Sequence, residues 1–409
     1  MKNQTCLVIG ASHAGVSFAF ALRKEGWEGK ILLFDSDPLL PYHRPPLSKA
    51  FLTDDQELEN YCLRSLESYE EEQIELHLGT QILKINTSKK SIVTDKNETF
   101  TYNKLVFATG SRALIPAIRG IEECNHIYTL RTATDALRIK AIATKKNVII
   151  IGDGYIGLEI AASLQKTGAT ITLLEREIRI LCRVTAPEVS QYFHDLHTSK
   201  GVQIQTQKEV IEISETGEKR IITCASGEQF EADIIIVGVG VKVNLELAAE
   251  IGLEIKNGIV INGQCRTSDP DIYAIGDCTY HENLYYQRHI RLESVQNAID
   301  QAKIAASFIC GKEVNYDSLP WFWSDQYYVK LQIVGLSAGY TEVIIRKEQE
   351  EDKLSAWYFN HEKLLAVDAI NHAKAYVIGT KILKDRILLN KTNLRNTKMQ
   401  LSLENLKQT

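Results

Sequence analysis

The first 35 residues fall into a repeating order of apolar runs and amphipathic stretches. Residues 6–9 are wholly apolar and of strand length, 10–15 form a turn punctuated by glycine, 14–24 carry apolar positions at helical spacing, and 30–34 are apolar again. Strands without polar alternation suit a parallel sheet covered on both faces. The same order returns further on: an apolar strand at 147–151, a glycine turn at 152–157, a helix at 158–167 and a strand at 170–174 that ends on Glu175. The chain therefore contains an internal repeat of one strand–turn–helix–strand unit.

Two further apolar strands run into glycine turns, at 104–110 and 233–238, and each reads as the last strand of its domain. Residues 271–277 form a strand ending in an acidic turn, followed by a helix over 294–309. From Pro320 onward the pattern changes to alternating, aromatic-rich strands at 321–323, 327–328, 343–346, 355–359 and 364–368, with a helix at the end. The expected fold is α/β, with two Rossmann-like dinucleotide-binding domains and a C-terminal α+β domain. The pattern changes divide the chain at 1–112, 113–240, 241–319 and 320–409.

Composition narrows the class of protein. A chain of 409 residues with 44% hydrophobic and 24% charged residues, 8 Pro and 24 Gly has the make-up of a folded protein of two to four domains, not of a disordered or collagen-like one. Its net charge of −5 offers no overall attraction for nucleic acid or anionic lipid. From Lys374 onward the local balance is +6, which leaves −11 on the rest; the plain expectation is a solvated, partly frayed terminus, the sharper one attraction to an acidic partner. The eight cysteines show no C-x-x-C pair, which argues against zinc-finger spacing and suggests free thiols in the cytoplasm. No leader is expected, because the apolar N-terminus is needed as strand, turn and helix, and no apolar run approaches the 18 or so residues of a membrane span.

The second turn holds the full Gly152-x-Gly154-x-x-Gly157 pattern between a strand and a helix. Gly152 permits the tight turn, Gly154 lets a pyrophosphate approach the backbone, and Gly157 brings helix and strand together, while the N-terminus of the helix that follows holds the anion; Tyr155 and Ile156 within the turn belong to the same NAD set. Glu175 stands where a carboxylate accepts from an adenosine ribose hydroxyl and repels a 2′-phosphate, favouring NADH over NADPH; Arg176 beside it would soften that preference. Gly238 and Gly240, after the later strand, complete the NAD set. The first turn, Gly10-Ala-Ser12-His13-Ala14-Gly15, places Ser12 at the second glycine position, and Asp35 ends its second strand with Ser36 and Asp37 as competitors for the ribose. Two dinucleotide units in one chain are best explained by hydride transfer from a mobile NAD(P)H to a fixed FAD.

Further segments make the resemblance specific. Residues 41–49 (PYHRPPLSK), Ala108-Thr109-Gly110, Gly157-Leu158-Glu159, Ile275-Gly276-Asp277, 291–298 (RLESVQNA) and 320–327 (PWFWSDQY) together resemble the FAD-dependent NADH:ferredoxin reductases of bacterial oxygenase systems, over roughly residues 5 to 380. The resemblance implies a glutathione-reductase-like arrangement: an FAD domain in two parts (1–112 and 241–319) interrupted by an NAD domain, then a C-terminal domain at the flavin and acceptor face. It also implies an ion pair of Lys49 and Glu159 beside the reactive flavin nitrogen, Asp277 on the FAD ribityl chain, Arg44, Arg131 and Glu293 near the cofactor, and a helix starting near Val295 that aims its N-terminus at a flavin carbonyl. Trp321 would lie against the flavin and Trp323 on the electron exit side. For Arg131 the plain alternative is a surface helix-capping arginine, and for the tryptophans ordinary core packing. His194 and His197 lack a third ligand nearby and are expected on the surface, with no metal.

The expected activity is electron transfer from NADH through FAD to a two-iron ferredoxin that serves an oxygenase. The rivals are an NADH oxidase or other-acceptor reductase of the same fold, and a redox-controlled interaction flavoprotein similar to the apoptosis-inducing factors.

Overall fold

The computed structural model describes residues 2–348 and 352–408. The chain folds as two compact units. The first comprises Met1–His43, Gln56–Arg112 and Val241–Pro320; the second comprises Arg44–Asp55, Ala113–Gly240 and Trp321–Thr409. In both parallel sheets the central strands are short and mainly apolar, as a sheet covered on two faces requires, while the edge strands Ile74–His77 and Gln203–Gln205 are mixed.

In the first unit a five-stranded parallel sheet runs in the order Ile272–Ala274, Lys104–Phe107, Thr5–Ile9, Lys30–Phe34, Ile74–His77. The helices His13–Lys24 and Val295–Ile309 pack on one another beside it. The strand Lys104–Phe107 is not the last of its sheet: the chain returns after Val241 and adds Ile272–Ala274 outside it, with Ile272 opposite Leu105. Local pattern shows only that a strand is buried, not which strand covers its edge.

The second unit repeats the plan with strands Gln203–Gln205, Thr170–Leu174, Asn147–Ile151, Ile234–Val237 and Ile127–Thr129, all parallel. Ile234–Val237 is again interior, because Ile127–Thr129, too short and too polar in its surroundings to read as an apolar run, pairs beyond it. An antiparallel sheet of Trp321–Gln326, Val329–Gly335, Lys363–Ile370, Leu354–Asn360 and Glu342–Lys347 shares a core with this half: Leu158, Leu173 and Phe193 pack in one cluster with Leu331, Tyr358 and Ile370.

The C-terminal stretch is not frayed. The helix Ala373–Asp385 packs on Lys363–Ile370, and Leu389, Leu394, Leu401 and Leu406 are buried beyond it. Its cations are partly engaged: Lys391 Nζ lies 2.9 Å from Glu342 and 3.2 Å from Glu362, and Arg395 pairs with Glu342 as well. Composition flagged the charge but not the buried leucines spaced between the cations.

Candidate active site

Both glycine turns are made by the same steric device. In the first unit Gly10 has φ +108°, and a Cβ there would lie 2.2 Å from the Ala108 carbonyl oxygen. In the second, Gly152 has φ +103° and a Cβ would lie 2.6 Å from the Gly238 carbonyl oxygen. The helices begin earlier than the sequence pattern suggests, at His13 and Tyr155, so that Gly15 and Gly157 fall inside their first turns. A Cβ on Gly15 would meet Gly10 O at 1.9 Å and one on Gly157 would meet Gly152 O at 2.4 Å. Only glycine allows either turn to close. Gly154, by contrast, faces open space, with no atom within 4 Å of its would-be Cβ. A tight turn, an unobstructed backbone and a helix N-terminus are the features a pyrophosphate needs, so the residues present fit a dinucleotide.

At the strand ends the two halves diverge. Asp35 turns both carboxylate oxygens onto backbone N–H groups, from Ala11 at 2.6 Å and Asp37 at 2.9 Å. Its competitor Asp37 accepts from Leu39 N and from the Tyr42 hydroxyl at 2.8 Å, while Ser36 is exposed. Glu175 is buried and accepts from Glu177 N at 2.7 Å, whereas Arg176 points out and faces Glu177 at 3.4 Å. Asp153, between the first two glycines of the second turn, is buried too and accepts from Leu181 N at 3.0 Å. Burial, then a hydrogen bond to Glu175 and that residue's charge, push the Asp153 carboxyl up to about 8. Sequence reading passed over Asp153; the signal was an acid in the middle of a turn shaped for an anion.

The other acidic turn lies in the first unit. Asp277 accepts from Ser111 Oγ at 3.1 Å. The nearby loop is tied by Thr109, whose hydroxyl donates to Asn244 O at 3.0 Å and whose carbonyl accepts from Asn244 Nδ2 at 2.8 Å; Gly110 follows with φ +57°. Ala14 lies against Gly276, where a Cβ would sit 3.0 Å from its own. Glu293 is exposed and paired with Arg291, and Val295 opens its helix behind the N-cap Ser294, whose side chain accepts from Asn297 N.

In the second unit the structure brings Lys49 and Glu159 together, Nζ to Oε2 at 2.7 Å. Glu159 is 1% exposed on the inner face of the helix Tyr155–Lys166. Ser48 Oγ donates to the same oxygen at 2.5 Å and Ser324 Oγ to the other at 2.7 Å. The segment Arg44–Asp55 therefore belongs with the second turn, held also by Ser163 Oγ donating to Ser48 O at 2.8 Å. Arg44 Nη1 donates to the Arg131 carbonyl at 2.6 Å, and Arg131 N donates to Asp135, the acid of the capping box that opens Ala133–Ala143.

Trp321 and Trp323 share one face of their strand with ring centroids 5.6 Å apart, and Trp321 is partly exposed. The alternate residues Ser324 and Gln326 face inward. His197 is not on the surface as expected: it is fully buried, with Nε2 2.8 Å from Gln326 Oε1. Val189, Phe193, Leu196 and His197 form the inner face of the helix Pro187–Ser199, while His194 lies off that face and is partly exposed.

Two glycine turns of the shape that fits a dinucleotide, with a lysine–glutamate pair beside one of them, fit a flavin-dependent pyridine nucleotide oxidoreductase. The chain belongs to the pyridine nucleotide-disulphide oxidoreductase family, whose model matches residues 4–302, and a reductase C-terminal model matches 321–403. It uses FAD and NADH. It is 39% identical over 392 residues to putidaredoxin reductase from Pseudomonas putida, covering 94% of this chain and 93% of that one. Rhodocoxin reductase from Rhodococcus erythropolis is 35% identical, with 97% and 93% covered. Among solved structures, a covalent putidaredoxin reductase–putidaredoxin complex superposes with a TM-score of 0.93 at 38% identity, covering 97% of both chains. The ferredoxin reductase of the CYP199A2 system from Rhodopseudomonas palustris gives 0.94 at 35% identity, covering 97% of this chain and 98% of that one.

Proposed function

We propose that this protein takes electrons from NADH through FAD and delivers them to a two-iron ferredoxin that serves an oxygenase. The observation that carries the reading is the Lys49–Glu159 pair, a half-buried cation held 2.7 Å from a buried carboxylate. FAD, when bound, accepts a hydride from NADH and releases its two electrons one at a time.

This chain's residues bind, orient and supply charge. Gly10, Ser12, His13, Ala14, Gly15 and Asp35 hold the adenosine diphosphate part of FAD, and Ala108, Thr109, Gly110, Asp277, Glu293 and Val295 hold the rest from the same unit. Lys49 places a cation that favours electron density on the flavin ring, and Glu159 keeps that cation oriented. Arg44, Arg131 and Trp321 act on the same cofactor, and Trp323 is the exit-side residue. In the second turn Gly152, Gly154, Tyr155, Ile156, Gly157, Gly238 and Gly240 receive NADH, Glu175 takes its adenosine ribose, and Arg176, turned toward Glu177, leaves that carboxylate to act. Relatives over nearly the whole chain include a ferredoxin reductase subunit of an O-demethylase and a ferredoxin–NAD(P)+ reductase, which supports a ferredoxin acceptor. All eight cysteines are free, which suits a reducing compartment, and the cytoplasm is the proposed location.

NADH-driven reduction of cytochrome c, with and without added two-iron ferredoxin, tests the reading. Strong stimulation by ferredoxin is expected. Equal rates with and without it, accompanied by oxygen consumption, would make the protein an NADH oxidase instead.

A further inference from the structure

Behind the Lys49–Glu159 pair lies a second layer of polar side chains that cofactor binding does not account for. Ser324, Gln326 and His197 are each fully buried, and burying three polar groups side by side is costly unless every one is paired. An apolar residue at 197 would fill the same space, 5.1 Å from the Tyr327 ring, without that cost. Their pairing forms one unbroken line: His197 Nε2 to Gln326 Oε1 at 2.8 Å, Gln326 Nε2 to Ser324 Oγ at 3.1 Å, and Ser324 Oγ to Glu159 Oε1 at 2.7 Å.

The line has a direction. Gln326 gives its amide hydrogen to Ser324, so its carbonyl oxygen faces His197 and can only accept. His197 must then carry its hydrogen on Nε2, and Nδ1, which has no hydrogen-bond partner among the described residues, is bare. Burial lowers the imidazole pKa to about 4, which keeps the ring neutral at physiological pH. Ser324, receiving from Gln326, gives its own hydrogen to Glu159 Oε1, while Ser48 and Lys49 donate to Oε2.

From this geometry we infer that His197, Gln326 and Ser324 are positioning residues: by delivering a hydrogen to Glu159 Oε1 they fix the carboxylate's orientation and share its negative charge, so that the cation of Lys49 governs the electron affinity of the flavin ring. The inference rests on the reading that the Lys49–Glu159 pair acts on the flavin.

The test compares FAD-loaded full-length wild type with Ser324→Ala, Ser324→Thr, Gln326→Met and Lys49→Met, measuring the flavin midpoint potential by anaerobic redox titration. Removing the Ser324 hydroxyl returns negative charge to the carboxylate, so Ser324→Ala should lower the potential by the equivalent of about a tenfold change in the two-electron equilibrium, ~30 mV. Gln326→Met should act in the same direction by less, and Ser324→Thr should restore the wild-type value. Wild-type potentials in Ser324→Ala and Gln326→Met alongside a shift in Lys49→Met would overturn this inference alone. If Lys49→Met also leaves the potential unchanged, the pair does not act on the flavin and both readings fall. A second measurement uses the wild type alone: the ¹⁵N spectrum of labelled histidine, with His197 assigned by its contact with the Tyr327 ring, should show a neutral ring with hydrogen on Nε2. Hydrogen on Nδ1 with a bare Nε2 would reverse the line and overturn the inference.

Discussion

Glu175 and Asp153 show how much one buried acid can add to another. A carboxyl whose pKa is raised on folding keeps a proton that the unfolded chain releases, so its contribution to stability is present at low pH and is lost as pH rises through the folded value. For Asp153 that window runs from the ordinary carboxyl range to about 8. Asp153→Asn retains a donor toward Glu175 but cannot titrate, so between pH 5 and 8 it should gain about 1 to 3 kcal/mol over wild type, read from denaturation midpoints at each pH. A constant difference across the range would mean that Asp153 holds no proton. Glu175→Ala should narrow the NADH advantage over NADPH through a roughly ten- to hundredfold loss in NADH efficiency, the worth of about 1.5 to 3 kcal/mol in a hydrogen bond to a charged group. A wild type that already prefers NADPH would assign the choice to Arg176. Glu175 was legible in the sequence because it ends a strand at a fixed distance from three glycines; Asp153 was not, because nothing local shows that the two acids meet.

At the scale of elements, the second turn separates glycines needed for folding from those needed for binding. Gly152→Ala would drive a Cβ into the Gly238 carbonyl at a positive φ, and should lower thermal stability and NADH affinity together. Gly154→Ala meets nothing and has φ −61°, so the protein should fold with wild-type stability or slightly better while its dissociation constant for NADH rises about tenfold, ~1.4 kcal/mol, because the methyl occupies the phosphate's approach. Calorimetric titration with NADH and a melting curve separate the two effects. The aromatic strand makes a similar division by face, with Trp321 and Trp323 on one side and Ser324 and Gln326 on the other. Trp323→Ala should slow ferredoxin reduction while leaving flavin reduction by NADH nearly intact in stopped flow; equal losses in both steps would reduce Trp323 to packing.

In the whole molecule, the C-terminal residues are part of the core of the second unit. The guanidinium of Arg346, 1% exposed, donates to the carbonyls of Leu394 at 3.1 Å, Asn396 at 2.9 Å and Met399 at 2.5 Å, and pairs with Glu348 at 2.6 Å. Arg346→Ala strands those carbonyls and leaves Glu348 to His372, 3.2 Å away, and should cost about 3 to 5 kcal/mol by chemical denaturation. A loss under 1 kcal/mol would show that the C-terminal segment holds its place without the arginine.

What the sequence alone determined is local and periodic. Apolar runs mark the inner strands of the two covered sheets, though not Ile74–His77, Ile127–Thr129 or Gln203–Gln205, and glycines at fixed spacing mark turns that no other residue can make, so both strand–turn–helix units and the position of Glu175 are legible in the chain itself. Motif resemblance added the pairing of Lys49 with Glu159, although the two lie 110 residues apart. Tertiary structure alone decided which strands flank Lys104–Phe107 and Ile234–Val237, that His197 turns inward, that the basic terminus packs, and that Ser48 and Ser324 donate to Glu159 with Gln326 behind Ser324. Each of these depends on groups far apart in the chain meeting in a space that excludes water, where an unpaired polar atom is too costly to keep, and no local pattern records which distant partner removes that cost.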